Sequence, residues 1–359
     1  MTNIIVKGRM YMLTHFEKKE IRTDRLTVSY LEAGEEGKEP LVLIHGNTSS
    51  SLFFVPTMEK LKEKFHIFAP DLRGYGYTEK LPIDSTKGMK TWSEDIRSFM
   101  EALKIEKAHI IGWSMGGGVA MQFTIDYPNE VRSLGLINPL SPYGFSGTKG
   151  TEGEVTHASH AGTGGGLVNK AFVESLKNKD LNLENPTSAP NVLKGLFGNE
   201  YQITDELQDL FVESMLLMEI GDDFYPGDSI PASEWPFLGP GTKGVGNTMS
   251  PKYVNLTKIR DISPKPPVIW FRGAEDKIVS DTSFSDVGFL GQLGIIPGWP
   301  GAEVYPPQPM VSQTRAVFEE YAKNGGLFKE AVFEKSGHSP QIEEPEKFVE
   351  EYLKFLGTI

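Results

Sequence analysis

Apolar residues in this chain follow two alternating patterns. Short apolar runs occur at 26–31 (LTVSYL), 41–44 (LVLI), 65–69 (FHIFA), 109–112 (HIIG), 133–137 (SLGLI), 267–271 (PVIWF) and 330–333 (EAVF). Such runs predict strands, and strands apolar on both faces predict a parallel sheet covered on each side. Between them the spacing becomes helical. Over residues 90–103, Trp92, Ile96, Phe99, Met100 and Leu103 fall on one helix face. Thr91 and Glu94 have the spacing of a capping box at its start. A last helix begins at Pro345, a favoured first-turn residue, and its buried face is Phe348, Tyr352 and Phe355. Strands alternating with helices specify an α/β class with helices flanking a mostly parallel sheet.

The alternation is interrupted twice. Residues 140–261 open with a glycine-rich polar stretch (144–166), expected to be mobile, and continue with helical patterns. The best of these spans 203–220, where Leu207, Leu210, Phe211, Ser214, Met215 and Met218 share a face. The interruption ends at the stiff segment SPKPP, residues 263–267. The expected organisation is therefore a core of 1–139 and 262–359 with a helical cap of 140–261. A second insertion, 283–312, is rich in glycine, proline and aromatic residues. It reads either as a surface excursion or subunit contact, or as an extra wall of a pocket.

Composition narrows the chemistry. The 359 residues include no cysteine, which removes thiolate catalysis and cysteine-bound metals, and the seven histidines form no helical ligand pair. A formal net charge of −12 without a basic run disfavours nucleic acid and anionic membranes as partners. The first twenty residues lack a secretory apolar core, and no run of apolar residues is long enough to span a bilayer. A cytoplasmic location is expected.

The strongest chemical signal is Gly112-Trp113-Ser114-Met115-Gly116, directly after one predicted strand and before the helical segment MGGGVAMQFTI. A serine on a sharp strand-to-helix turn needs glycine two positions to either side, and the turn exposes its hydroxyl. A serine alone is a poor nucleophile, so it needs a base and a group to orient that base. His338 lies just past the last strand, in KSGHSP, and Asp276 just past the preceding one, in FRGAEDKIV. Glu275 is the rival acid one residue away. The alternative acid position, past the strand at 133–137, holds Asn138, which carries no charge. Backbone N–H groups for a developing oxyanion are expected from Met115 and from the loop after LVLI, with Asn47 the leading position there. The serines of that loop read as helix caps.

The segments LVLIHGN, APDLRGYGYT, GWSMGG, WFRGAEDKIV and SGHSPQIEEPEKF, in this order, resemble the α/β-hydrolase superfamily with a cap after the sixth strand. The resemblance implies the α/β-hydrolase fold, and a loop shaped by His45 and Gly46 with Asn47 and Met115 as oxyanion donors. HGNTSS is also similar to haloalkane dehalogenases and epoxide hydrolases, whose nucleophile is aspartate; Ser114 argues against both chemistries. The GWSMG box is similar to that of some bacterial intracellular polyhydroxybutyrate depolymerases.

The expected activity is that of a serine hydrolase, needing no metal or organic cofactor, that cleaves a carboxylic ester of a hydrophobic small molecule through an acyl-enzyme intermediate. Trp113, Phe211, Met215, Met218 and Trp235 are the expected substrate contacts, although such stripes are more often packing than pocket. Four other activities fit the same residues: a lactonase or hydroxyalkanoate-oligomer hydrolase, a carbon–carbon bond hydrolase, a perhydrolase, and a small-molecule receptor on the same fold.

Overall fold

A computed structural model describes residues 2–6, 9–14 and 16–359. Eight strands build the main sheet: β1 Lys18–Arg22, β2 Thr27–Ala33, β3 Glu39–Ile44, β4 Phe65–Pro70, β5 Ala108–Trp113, β6 Val131–Ile137, β7 Val268–Gly273 and β8 Phe328–Phe333. Their spatial order is β8-β7-β6-β5-β3-β4-β2-β1. β3 to β8 run parallel, whereas β2 and β1 are antiparallel additions at one side. This is the α/β-hydrolase fold that the sequence implied. Seven of the eight strands lie where apolar runs predicted them. β1 escaped because its sequence, KKEIR, has neither an apolar run nor alternation, as suits an edge strand whose charges discourage further pairing.

Helices cover the sheet: α1 Val55–Leu61, α2 Lys90–Ala102, α3 Met115–Asp126, then α4 Lys170–Lys177, α5 Ala189–Lys194 and α6 Asp205–Leu216 within the insertion. After β7 come α7 Val287–Gln292 and α8 Met310–Lys323, and after β8 come α9 Pro340–Glu343 and α10 Pro345–Leu356. α10 starts at Pro345 and buries Phe348, Tyr352 and Phe355 as expected. α2 buries Trp92, Ile96, Phe99 and Met100, but the capping box does not form. The helix starts at Lys90, so Thr91 is already inside the first turn; its buried hydroxyl has no partner, and Glu94 pairs with Arg25 instead.

The strand register aligns the carboxyl ends of the sheet. Ile44 pairs with Gly112, Trp113 with Ile137, Ile137 with Phe271, and Gly273 with Phe333. Five loops, those after β3, β5, β6, β7 and β8, therefore leave from one edge. β4 and β5 flank β3 on opposite sides, a reversal of winding that opens a crevice at such an edge.

The 140–261 insertion does not have a core of its own. Phe172, Leu176, Leu193, Phe197, Phe211 and Met215 join the same apolar cluster as the sheet residues. The glycine-rich stretch, expected to be mobile, is instead packed, with Ser146, Thr148, Ala161 and Thr163 buried. It is held by the second insertion. The Ser146 hydroxyl donates to Asp286 Oδ1 (2.7 Å), Gln308 Nε2 to the Gly144 carbonyl (3.1 Å), and the Tyr305 hydroxyl to the Gly162 carbonyl (3.0 Å). Burial raises the carboxyl pKa of Asp286, partly offset by the hydroxyl and backbone N–H groups around it. Trp235, Val287 and Tyr305 form a small separate apolar cluster, with Leu167, Ile296 and Trp299 against it. The two insertions thus complete each other. Among the described residues no helix is long and apolar enough to cross a membrane.

Candidate active site

Ser114 sits between β5 and α3 with φ +57° and ψ −123°, a backbone conformation that L residues rarely adopt. Its N–H donates to the Ile137 carbonyl (2.9 Å), and its own carbonyl accepts from Gly117 and Leu140 (2.9 Å each). These bonds hold the strained turn. Glycine is needed around it because neighbouring backbone is too close: a Cβ on Gly116 would lie 2.3 Å from the His45 carbonyl oxygen, and one on Gly46 would lie 2.9 Å from the Ser114 Cβ. The loop after β3 therefore lies directly against the serine. As the first residue of α3, Met115 has no intrahelical acceptor for its N–H.

That loop is fixed from several sides. Buried His45 accepts the Leu72 N–H at Nε2 (2.9 Å), so the ring proton is on Nδ1, 2.8 Å from the Gly46 carbonyl. Burial lowers its pKa to about 4, which keeps the imidazole neutral. Asn47 Oδ1 accepts from the Thr48 N–H (2.9 Å) and from the Tyr75 hydroxyl (2.7 Å). The Ser50 and Ser214 hydroxyls meet at 2.6 Å, tying the loop to α6. Of the loop serines expected to cap, Ser50 caps the short helix Ser51–Phe54, whereas the Ser49 hydroxyl donates to the Gly46 carbonyl (2.8 Å).

The acid and the histidine meet in a buried pair, Asp276 Oδ2 to His338 Nδ1 at 2.7 Å. Asp276 Oδ1 accepts the N–H groups of Ile278 (2.7 Å) and Val279 (3.1 Å), so the segment turns back around the carboxylate. The rival Glu275 faces elsewhere, its Oε2 accepting the Asn199 N–H (2.6 Å). Trp113 Nε1 donates to the His338 carbonyl (2.8 Å), and the two rings lie 5.6 Å apart. His338 and Ser114 are thus linked through the residue preceding the serine. Among the described residues the Ser114 hydroxyl and His338 make no direct hydrogen bond; such contacts often tighten only when substrate is bound.

From the sequence alone, Asn138 is only a position without charge. It proves to join two of these loops. Its Oδ1 accepts the Gly273 N–H and its Nδ2 donates to the Gly337 carbonyl, both at 3.0 Å. It thereby ties the acid-bearing and histidine-bearing loops together at the end of β6. No sequence signal beyond its position at a strand end could have revealed this.

The expected substrate contacts divide into two groups. Trp113, Phe211, Met215 and Met218 are buried in the main cluster. Phe53 stacks on Trp113 (centroids 5.1 Å) and on Phe211 (4.2 Å), a continuous aromatic column from the elbow to α6. Each such pair is worth about 0.5–1.5 kcal/mol beyond burial. Trp235 is not with them: it packs in the separate cluster and donates to the Pro297 carbonyl (2.8 Å).

Residues 39–155 match the family described as alpha/beta hydrolase fold. An uncharacterized protein of Mycobacterium tuberculosis is 36% identical over 98 residues, 27% of this chain and 28% of that one. The 2-hydroxymuconate semialdehyde hydrolase of a Pseudomonas species is 34% identical over 101 residues, 27% of this chain and 35% of the other. This chain therefore matches well under half the length of these relatives. Among solved structures, carboxylesterase CesB of Bacillus subtilis matches over 96% of this chain and 93% of its own, with a TM-score of 0.58 at 17% identity. A meta-cleavage product hydrolase of Pseudomonas fluorescens matches over 95% and 97%, with a TM-score of 0.56 at 20% identity. At such identities the likeness is one of fold.

Proposed function

We propose that this chain of α/β-hydrolase fold is a serine hydrolase that cleaves a carboxylic ester of a hydrophobic small molecule through an acyl-enzyme. The observation that carries the reading is the buried Asp276–His338 pair at 2.7 Å, set at the same sheet edge as a serine on a strained elbow. In this reading His338 Nε2 takes the Ser114 proton as Oγ attacks the ester carbonyl. Asp276 holds the Nδ1–H tautomer and stabilises the imidazolium. The N–H groups of Met115 and Asn47 receive the oxyanion, each worth about 3 kcal/mol of barrier. The imidazolium then protonates the leaving alcohol, and water, deprotonated by His338, releases the acid.

The 140–261 insertion acts as the cap, with Phe211, Met215 and Met218 of α6 and its flank on the acyl side. Trp113 supports that wall through the aromatic column, and Trp235 supports it at a distance by joining the cap to the 283–312 insertion. The test is labelling with a fluorophosphonate probe together with a panel of p-nitrophenyl esters and lactones. Ser114→Ala should abolish labelling and lower kcat by about 10⁶-fold. A Ser114→Ala protein that retains turnover removes the serine mechanism, and stoichiometric reaction without turnover in the native protein favours a receptor.

A second reading, hydrolysis of a carbon–carbon bond in a vinylogous diketone, draws support from the similarity to a 2-hydroxymuconate semialdehyde hydrolase. Adding a meta-cleavage product to the panel separates the two: preference for it over every ester would favour this chemistry.

A further inference from the structure

Directly after the candidate base, the chain folds into the short helix α9, and Glu343 at its end turns back on the histidine loop. Glu343 Oε1 accepts the N–H groups of Gly337 (2.9 Å) and Ser339 (3.2 Å), the two residues that flank His338. Its Oε2 accepts the N–H of Gly198 in the insertion (2.6 Å). The His338 N–H, in turn, donates to the carbonyl of Leu196 in that same insertion segment (2.7 Å). The two backbones touch: a Cβ on Gly337 would lie 2.6 Å from the carbonyl carbon of Phe197, and one on Gly198 would lie 2.3 Å from the Lys335 carbonyl oxygen. Among the described residues no Lys or Arg pairs with Glu343. Burial raises its carboxyl pKa, and the N–H groups of Gly198, Gly337 and Ser339, with the nearby His338, partly offset that rise.

We propose that Glu343 is a positioning residue for His338: its carboxylate clamps the backbone on both sides of the histidine and ties it to Gly198, so that the imidazole is correctly set against Asp276 only when residues 196–198 are seated. The inference rests on the serine-hydrolase reading for its effect on rate. By holding the backbone on both sides of the imidazole, the clamp keeps Nδ1 on the Asp276 carboxylate while the serine is deprotonated. It also makes the insertion part of the catalytic geometry, since displacement of 196–198 would remove one acceptor from the His338 N–H and one donor from Glu343.

The test compares native protein with Glu343→Gln, whose single carbonyl oxygen cannot serve both the histidine loop and Gly198. Active sites are counted by fluorophosphonate burst titration, so that misfolded protein does not enter the rate. Per active site, kcat should fall roughly 10- to 100-fold, as for a small misplacement of a reacting group, with KM little changed. A second readout needs no turnover: the downfield proton resonance of the His338 Nδ1–H, assigned by its loss in His338→Ala, should shift or broaden in Glu343→Gln. Unchanged kcat per site and an unchanged resonance, with or without a lower Tm, overturn the clamp. If native protein shows no serine labelling, the serine reading fails by itself, and the resonance alone then decides the role of Glu343.

Discussion

The elbow edge and the joined insertions are held together by different means. At the elbow, most of the geometry is local. The strain at Ser114 and the turn around Asp276 arise within a few residues of the groups they place. Between the insertions, the ordering contacts join residues more than a hundred positions apart, such as Ser146 with Asp286 and Gly162 with Tyr305. The first kind of order leaves a motif in the sequence. The second leaves only polar residues that look like loop.

The sharpest way to break this comparison is at the acid. Asp276→Asn should lower kcat by about 10⁴-fold, because the imidazole loses its fixed tautomer. Glu275→Gln should leave kcat within a few-fold, since Glu275 holds Asn199 rather than His338. Steady-state kinetics on one ester decides it, and a larger loss from Glu275→Gln reverses the assignment.

The insertion side is tested by stability rather than rate. Trp235→Ala empties a buried site and removes a hydrogen bond to Pro297, which should cost about 3–5 kcal/mol of the local or global stability. Urea melts, with proteolysis of residues 144–166 as a local probe, should show the loss, and kcat/KM for a short-chain ester should hold. A rise in KM alone would mean that Trp235 reaches the substrate, and the two regions would then share one function.

The smallest effect sharpens the boundary where α6 meets the core. Glu213 lies buried on α6 with Oε2 unpartnered and Oε1 accepting from the Tyr77 hydroxyl (3.3 Å). Burial raises its pKa to about 7 despite that hydrogen bond. A carboxyl raised in the folded state binds more protons there than when unfolded. Its contribution is therefore intact below its ordinary value of 4.5 and lost as the pH rises through about 7. Glu213→Gln should raise Tm by on the order of 2 °C at pH 8 and change it little at pH 4.5. Equal effects at both pH values would remove the titration as the cause.

Much of the core could be read without coordinates, because each feature has a local signature. A fully buried strand shows as an apolar run, and a nucleophile elbow shows as glycine at two fixed offsets. The capping box at Thr91 failed for a reason of the same scale: its spacing was right, but the helix began at Lys90. Asn138 and Glu343 are different. Their side chains bond backbone groups of remote loops, and any backbone N–H or carbonyl looks alike in a sequence.

By itself the sequence determined the sheet, the elbow, and the order in which serine, acid and histidine come along the chain. Strand periodicity acts over a few residues, and glycine marks the elbow in the sequence even though the chain it makes room for is remote, His45 for Gly116 and Ser114 for Gly46. Only the tertiary structure decided which of two adjacent carboxylates faces His338, that a glycine-rich stretch is ordered by a distant insertion, and that Glu343 lies between the histidine loop and the insertion. Those outcomes depend on which remote donors and acceptors come within 3 Å of one another, and that distance is set by the packing of the whole chain.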